Sequence, residues 1–183
     1  TVWGTPSLGE VIIKGQQINT NRIADCFQAV KHGNGRDWWL VTKMSSDNLT
    51  SINRFIEYLI TPSGIAGPFH FDFGGALDQD FQKIVFNTSC SKIMNINTMG
   101  YMCEYDFDRC SGVISNPHVI YPAITSPPNN RVFWEGAYSP NDSVFYISTS
   151  RSFGVNYAYL LQYDLTAFDI PASCDTLDSA TVP

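Results

Sequence analysis

The sequence predicts an all-β protein built from repeated four-stranded units. Of its 183 residues, 44% are hydrophobic and 14% aromatic, whereas only 15% are charged. This composition favours packed β-structure over disorder or a coiled coil. Segments rich in Val, Ile, Phe, Tyr and Trp alternate with Gly, Pro and Asn turns, which is typical of short antiparallel hairpins. The clearest predicted strands are 37–43, 53–61, 132–138 and 143–149.

An internal repeat defines the predicted architecture. Three stretches, 56–65, 103–113 and 161–170, each read as a strand with a central tyrosine, a tight turn and a second strand. The aligned residues are Tyr58, Tyr105 and Tyr163, which are 47 and 58 residues apart. A further hairpin precedes each stretch, so each repeat contains four strands. Four strands in roughly 40–50 residues are the signature of a β-propeller blade.

We therefore expect about three blades, near residues 24–73, 80–121 and 131–173, followed by a Ser/Thr/Asp-rich tail or linker at 174–183. Three blades cannot close a ring, which usually contains about four to eight. The chain is then expected to be part of a larger propeller of about seven or eight blades, or a sheet array that a partner completes. A β-sandwich is the structural alternative, and the internal repeat argues against it.

Charge and hydropathy exclude several classes of partner. The chain has 17 acidic and 11 basic residues and a net charge of −6, so the electrostatic attraction that drives binding to phosphate backbones is absent. We do not expect a nucleic acid partner. No apolar run approaches the roughly 20 residues that a membrane helix needs, and no membrane span is expected.

The cysteines and histidines do not form a metal-binding pattern. None of the five cysteines forms a C-x-x-C pair, and none of the three histidines has a partner at metal-ligand spacing. No cofactor is expected. In an exported protein, Cys103 and Cys110 are candidates for a local disulfide across a turn, and the odd number leaves at least one cysteine free or bonded to another chain.

The segment Ala29–Thr42, with its Gly33-Asn34-Gly35 turn and Trp38-Trp39 pair, resembles the blade motif of large exported surface proteins of Bacteroidota. These carry a WD40-like propeller and often a type IX secretion or gliding-associated signal. Segments 105–115 and 159–173 look similar to the same family, whereas 137–143 departs from its pattern. The resemblance implies a cell-surface or secreted protein without a catalytic signature, which binds protein or glycan in adhesion or surface assembly.

The resemblance also implies O-glycosylation at Asp-Ser/Thr-apolar sequons. Three such sequons are present, and their candidate glycan acceptors are Ser143, Thr176 and Ser179.

Four residues near one turn are candidate binding residues: His32, Asp37, Trp38 and Trp39. The two tryptophans are adjacent, so in a strand they point to opposite faces. One should lie in the core, and the other should lie between blades or form an exposed platform for a sugar or a protein partner. The alternative to a binding role for His32 is a structural one, as a polar residue that flanks a turn.

An enzymatic alternative remains open. A propeller-type polysaccharide hydrolase or lyase would need carboxylates that converge on a central channel, and Asp37, Asp106 and Asp108 are the candidates. These residues fall at different positions within their repeats, which counts against this interpretation, and a G-x-S-x-G nucleophile motif is absent. We therefore predict a non-enzymatic binding module.

Overall fold

The computed structural model describes residues 14–45, 53–74, 81–122, 132–150 and 157–181. Within these ranges the chain forms β-strands and one short 3-10 helix, and no α-helix. The strands are β1 (Ile23–Lys31), β2 (Trp38–Met44), β3 (Arg54–Thr61), β4 (Gly64–Asp72), β5 (Gln82–Phe86), β6 (Lys92–Asn97), β7 (Met102–Phe107), β8 (Ile114–Tyr121), β9 (Val132–Tyr138), β10 (Val144–Ser150), β11 (Tyr157–Asp164) and β12 (Asp175–Thr181). The 3-10 helix, Pro171–Ser173, precedes β12.

These strands form three four-stranded antiparallel sheets in simple meander order. Sheet 1 contains β1-β2-β3-β4, sheet 2 contains β5-β6-β7-β8, and sheet 3 contains β9-β10-β11-β12. The predicted all-β class and the three blade-like units are confirmed. The sheets follow one another without closing a ring.

The sheets stack face to face, with their first strands side by side. β1 lies next to β5, and β5 lies next to β9, so the first strands are innermost and the fourth strands are outermost. The repeated tyrosines Tyr58, Tyr105 and Tyr163 occupy the third strand of each sheet, paired with Leu40, Ile93 and Phe145 respectively. The repeat in the sequence therefore corresponds to equivalent positions in the three sheets.

We call the face of each sheet that carries this tyrosine its leading face and the opposite face its trailing face. The leading face of sheet 2 packs on sheet 1, where the Tyr105 ring lies 4.9 Å from Phe55 and 4.8 Å from Phe73. The leading face of sheet 3 packs on sheet 2, where the Tyr163 ring lies 5.9 Å from Tyr121. Aromatic pairs at these distances stabilise a core beyond the burial of their area.

A carboxylate fastens sheet 3 to sheet 2 at the turn before β10. Asp142 accepts hydrogen bonds from the backbone N–H groups of Thr88 (2.7 Å) and Ser89 (3.3 Å) and from Asn87 Nδ2 (3.0 Å). The Thr88 amide and then its neighbours hold the pKa of Asp142 below its ordinary value. Asp142 adopts a positive φ of 59°, which Asp and Asn tolerate better than other side chains with a Cβ.

The end of the chain differs from the sequence-based expectation. Residues 174–183 were expected to be a tail or linker, but Asp175–Thr181 forms β12, the outermost strand of sheet 3. The polar sequence of this segment gives little β-propensity. It pairs with β11 from Tyr157 to Gln162, and a strand at the outer edge can remain polar because only one of its edges is paired.

The predicted disulfide between Cys103 and Cys110 finds no support, because the structure contains both as free thiols. Cys103 is the second residue of β7 and is fully buried at the interface with sheet 1. Cys110 lies beyond the end of β7 in an exposed turn, against Gly33 of sheet 1. Cys110 lies within the turn that the backbone hydrogen bonds of Asp108 with Gly112 and Val113 close after β7. The two thiols therefore have different surroundings.

Candidate functional site

The two adjacent tryptophans point to opposite faces of sheet 1, as expected. Trp39 is buried on the trailing face, against sheet 2, whereas Trp38 is 43% exposed on the leading face. The parity follows from the register, because Trp39 pairs with Leu59 and Trp38 pairs with Ile60. Of these two tryptophans, Trp38 is the one whose ring is exposed to a partner.

Trp39 anchors a turn of sheet 2. Its Nε1 donates a hydrogen bond to the carbonyl oxygen of Arg109 at 2.9 Å, and the backbone N–H of Gly33 donates to the same oxygen at 2.9 Å. Its ring lies directly over Gly112, where a Cβ would stand 2.6 Å from Trp39 Cη2. Trp39 is therefore a packing residue between the first two sheets.

His32 and Asp37 hold the turn between β1 and β2. The His32 ring stacks on Trp39 at 5.5 Å, and its Nδ1 accepts a hydrogen bond from the Asn34 backbone N–H at 2.9 Å. The Asp37 carboxylate accepts bonds from Arg36 Nε (2.8 Å) and Asn34 Nδ2 (2.7 Å). The hydrogen bond from Arg36, and then that from Asn34, lowers the pKa of Asp37. Their described contacts stabilise the turn, so their binding role stays a prediction.

The other candidate catalytic carboxylates also make structural bonds. Asp106 accepts from Lys92 Nζ and from Asn116 Nδ2, each at 2.7 Å. Asp108 accepts from Ser111 Oγ at 2.7 Å and closes the turn after β7. Both carboxyl groups have a lowered pKa, whereas a general acid needs a raised one. These contacts do not favour the hydrolase or lyase alternative.

The leading face of sheet 1 carries several exposed apolar side chains, although Tyr58 and Ile56 on the same face are buried and the Tyr58 hydroxyl donates to the Ile18 carbonyl oxygen at 3.4 Å. Phe27 is 71% exposed, and Trp38 and Ile65 are also exposed. The register places Trp38 beside Ile60, and Ile60 beside Ile65, across the middle of the sheet. The equivalent faces of sheets 2 and 3 are buried against a neighbouring sheet. Among the described strands, no other sheet packs on this face of sheet 1.

A buried polar cluster lies between sheets 1 and 2, and the sequence analysis did not identify it. Lys43 of β2 is fully buried, and its Nζ donates to Asn53 Oδ1 and, at 3.0 Å, to Asn95 Oδ1 of sheet 2. Asn53 Nδ2 donates to the Tyr105 hydroxyl at 3.0 Å, which also contacts the Tyr101 hydroxyl at 3.0 Å. Among the described residues no carboxylate pairs with Lys43.

Burial changes the protonation of this lysine. Removal from water lowers the pKa of Lys43 to about 7, because the charged form loses its hydration. The ammonium or amine nitrogen lies 4.1 Å from the centre of the Phe55 ring. Near neutral pH a large fraction of Lys43 is therefore a neutral amine. A lone lysine in a strand gives no sequence signal of this state.

A second buried ionisable group lies on the same trailing face. Glu57 is fully buried, both of its carboxyl oxygens lack a hydrogen bond, and burial raises its pKa to about 8. The equivalent residue in sheet 2 is Glu104, which accepts a bond from the Tyr138 hydroxyl of sheet 3 at 2.9 Å. The position equivalent to Tyr138 in sheet 2 is Phe86, since each is paired with the partner of the repeated tyrosine. Phe86 has no hydroxyl to offer Glu57.

The candidate glycan acceptors lie in sheet 3. Thr176 and Ser179 are exposed in β12, and Ser143 is half-buried before β10, where its hydroxyl donates to Asn141 Oδ1 at 2.9 Å. Their modification stays a prediction. In the described part of the chain, no group of three or more His, Cys, Asp or Glu residues is placed to hold a metal. No described helix is long and apolar enough to cross a membrane.

Comparison with known proteins gives one structural likeness to report. No protein-family model matches the chain, and no curated protein matches it. A crystal structure of an auxiliary nutrient binding protein from Bacteroides thetaiotaomicron is similar over 84% of this chain, with 8% sequence identity and a TM-score of 0.38. The match covers 46% of that protein, so this chain spans about half of its length.

Proposed function

We propose that this chain is part of a secreted or cell-surface β-propeller that acts as a binding module rather than an enzyme. Within that propeller, the leading face of sheet 1 is the surface on which a further four-stranded blade packs. The secreted or surface location rests on the resemblance of the blade motif to exported Bacteroidota proteins.

One observation supports the assignment of the leading face of sheet 1 as an interaction surface. Tyr58 occupies the position that Tyr105 and Tyr163 occupy in faces buried against another sheet, whereas the face around Tyr58 leaves Phe27 and Trp38 exposed. Large apolar side chains grouped on one face mark an interaction site. Across the sheet Trp38 pairs with Ile60 on one side and with Lys31 on the other, and the exposed Phe27 and Ile65 add further apolar area to this face. This chemistry favours a protein surface over a glycan.

Sedimentation velocity on the isolated chain tests this proposal. The exposed face should cause concentration-dependent self-association, and the double variant Phe27→Ser/Trp38→Ser should reduce it at least tenfold. Phe168→Ser is the matched control, because Phe168 is a fully exposed aromatic residue outside this face. A wild-type chain that stays monomeric at all concentrations contradicts the proposal, and so does equal self-association of the double variant. Loss of glycan-array binding in Trp38→Ser, without self-association, would instead assign the face to a glycan.

A further inference from the structure

We propose that Lys43 and Asn53 react to form an intramolecular amide cross-link between β2 and the start of β3, with release of ammonia. This modification is independent of the binding function proposed above. It rests on the placement of a lysine that has no carboxylate partner among the described residues beside a carboxamide within a buried interface.

The two reacting groups are already in contact. Lys43 Nζ donates a hydrogen bond to Asn53 Oδ1. Because the carbonyl bond is only about 1.2 Å long, this contact places the amine nitrogen beside the carboxamide carbon that it would attack. The Asn53 backbone is fixed by the bond from the Phe73 N–H to its carbonyl oxygen at 3.0 Å. The carboxamide therefore stays within reach of the lysine.

The environment activates the nucleophile. A protonated ammonium has no lone pair with which to attack, but the desolvated Lys43, with its pKa lowered to about 7, supplies a neutral amine at neutral pH. Asn95 Oδ1 accepts a second N–H bond from Nζ at 3.0 Å and holds its orientation. Both Lys43 and Asn53 are buried, which limits competing hydrolysis of the carboxamide by water.

The reaction balances without an oxidant or a cofactor. The Nζ lone pair forms a bond to Asn53 Cγ, and the carbonyl π electrons move to Oδ1. On collapse of this intermediate the bond from Cγ to Nδ2 breaks, and Nδ2 leaves as ammonia after it receives the proton that Nζ loses. In the intermediate both nitrogens are bonded to Cγ, and the Tyr105 hydroxyl, which accepts a hydrogen bond from Nδ2 at 3.0 Å, is the group placed to pass the proton from Nζ to Nδ2. Burial raises the pKa of Tyr105, so the phenol is protonated when the reaction begins.

The next interface along the array shows that packing does not require this polar pair. In sheet 2 the residue equivalent to Lys43 is Ile96, which is paired with Met102 as Lys43 is with Phe55 and is fully buried against sheet 3. Burying an amine and two amides costs free energy that apolar side chains avoid. A covalent bond between Lys43 and Asn53 would explain why the interface between sheets 1 and 2 buries this amine and carboxamide.

Intact-mass spectrometry of the folded chain is the primary test. The wild type should be lighter than its sequence mass by one ammonia, whereas Lys43→Met and Asn53→Ala should have their full sequence masses. Lys83→Met is the matched control, because Lys83 is a partly exposed lysine with an ion pair to Glu135, and it should keep the mass deficit. A wild type with its full sequence mass after prolonged incubation at pH 8 overturns the proposal.

Peptide mapping locates the bond. Trypsin should not cleave after an acylated Lys43, so the linked product is the single peptide 37–54, which contains one methionine, Met44. Cleavage at Met44 by cyanogen bromide leaves 37–44 and 45–54 joined in the cross-linked protein and separates them otherwise. A mass deficit with separated halves would place the lost ammonia elsewhere and refute the assignment.

A conservative variant separates chemistry from folding. Tyr105→Phe keeps the ring that packs on Phe55 but removes the hydroxyl beside Asn53 Nδ2. We expect it to fold and to form the cross-link at least tenfold more slowly during refolding at pH 8, as followed by the mass deficit. An unchanged rate contradicts the relay role of Tyr105.

Discussion

The contact between Trp39 and Gly112 provides a quantitative test of how sheets 1 and 2 dock. Gly112 has a φ of +75°, and a Cβ at this position would lie 2.6, 2.7 and 2.9 Å from three ring carbons of Trp39. The indole cannot yield easily, because its Nε1 is hydrogen-bonded to the Arg109 carbonyl. Gly112→Ala should therefore destabilise the protein for two separate reasons.

The magnitudes can be separated with a matched glycine. An alanine in the left-handed region costs about 1–2 kcal/mol, and overpacking a rigid core contact adds about 1–3 kcal/mol. Gly35 has nearly the same φ, +73°, but no atom within 4 Å of its added Cβ. We expect Gly112→Ala to lower the free energy of unfolding by about 2–5 kcal/mol and Gly35→Ala by about 1–2 kcal/mol.

Urea unfolding followed by far-ultraviolet circular dichroism measures both values. In a Trp39→Leu background the ring is absent, so the cost of Gly112→Ala should fall to that of Gly35→Ala, a non-additivity expected for residues in contact. Equal destabilisation by the two glycine substitutions in the wild-type background would refute the proposed docking of Trp39 on the turn of sheet 2.

Three further predictions follow from the interfaces. Phe86→Tyr should supply Glu57 with the hydroxyl it lacks and raise the free energy of unfolding at pH 7 by about 1 kcal/mol. The raised pKa of Glu57 means that the unfolded chain ionises first, so wild-type stability falls from about pH 4.5 to about pH 8; an equally steep fall in Phe86→Tyr would contradict its contact with Glu57. The lowered pKa of Asp142 has the opposite effect on the pH dependence of stability. The stabilisation by Asp142 is present above the ordinary carboxyl pKa and is lost as the pH falls through the pKa of the folded state. Asp142→Asn should remove this acid-linked loss in urea titrations at pH 2–5, and an unchanged pH profile would exclude Asp142 as its source. A thiol reagent should modify Cys110 in the native protein but Cys103 only after unfolding, as peptide mapping can check. If Cys110 reacts only after a reductant is added, it is in a disulfide in the native protein.

The predicted glycan sites have their own test. If Ser143, Thr176 and Ser179 are modified, protein from the native source should exceed the polypeptide mass by whole glycan units. Exposure of Thr176 and Ser179 in β12 makes them accessible to a transferase. A native mass equal to that of the polypeptide, allowing for the proposed loss of ammonia, would remove the glycosylation hypothesis.

The sequence by itself determined the fold class and the repeating unit. Tyr58, Tyr105 and Tyr163 each precede a tight turn in the third strand of a sheet, and this local pattern is legible because strand alternation and turn chemistry depend on nearby residues. The adjacent Trp38 and Trp39 could likewise be placed on opposite faces. Which of the two faces lies against sheet 2 could not be read from the strand.

Only the tertiary structure decided the protonation and partners of the interface residues. Lys43 and Glu57 look like ordinary charged residues in β-strands, yet each is fully buried because another sheet covers the trailing face of sheet 1. The polar segment Asp175–Thr181 becomes a strand because β11 supplies its hydrogen-bond partners. Strand patterns record local alternation, whereas burial, pKa and edge pairing depend on surfaces contributed by residues distant in the chain.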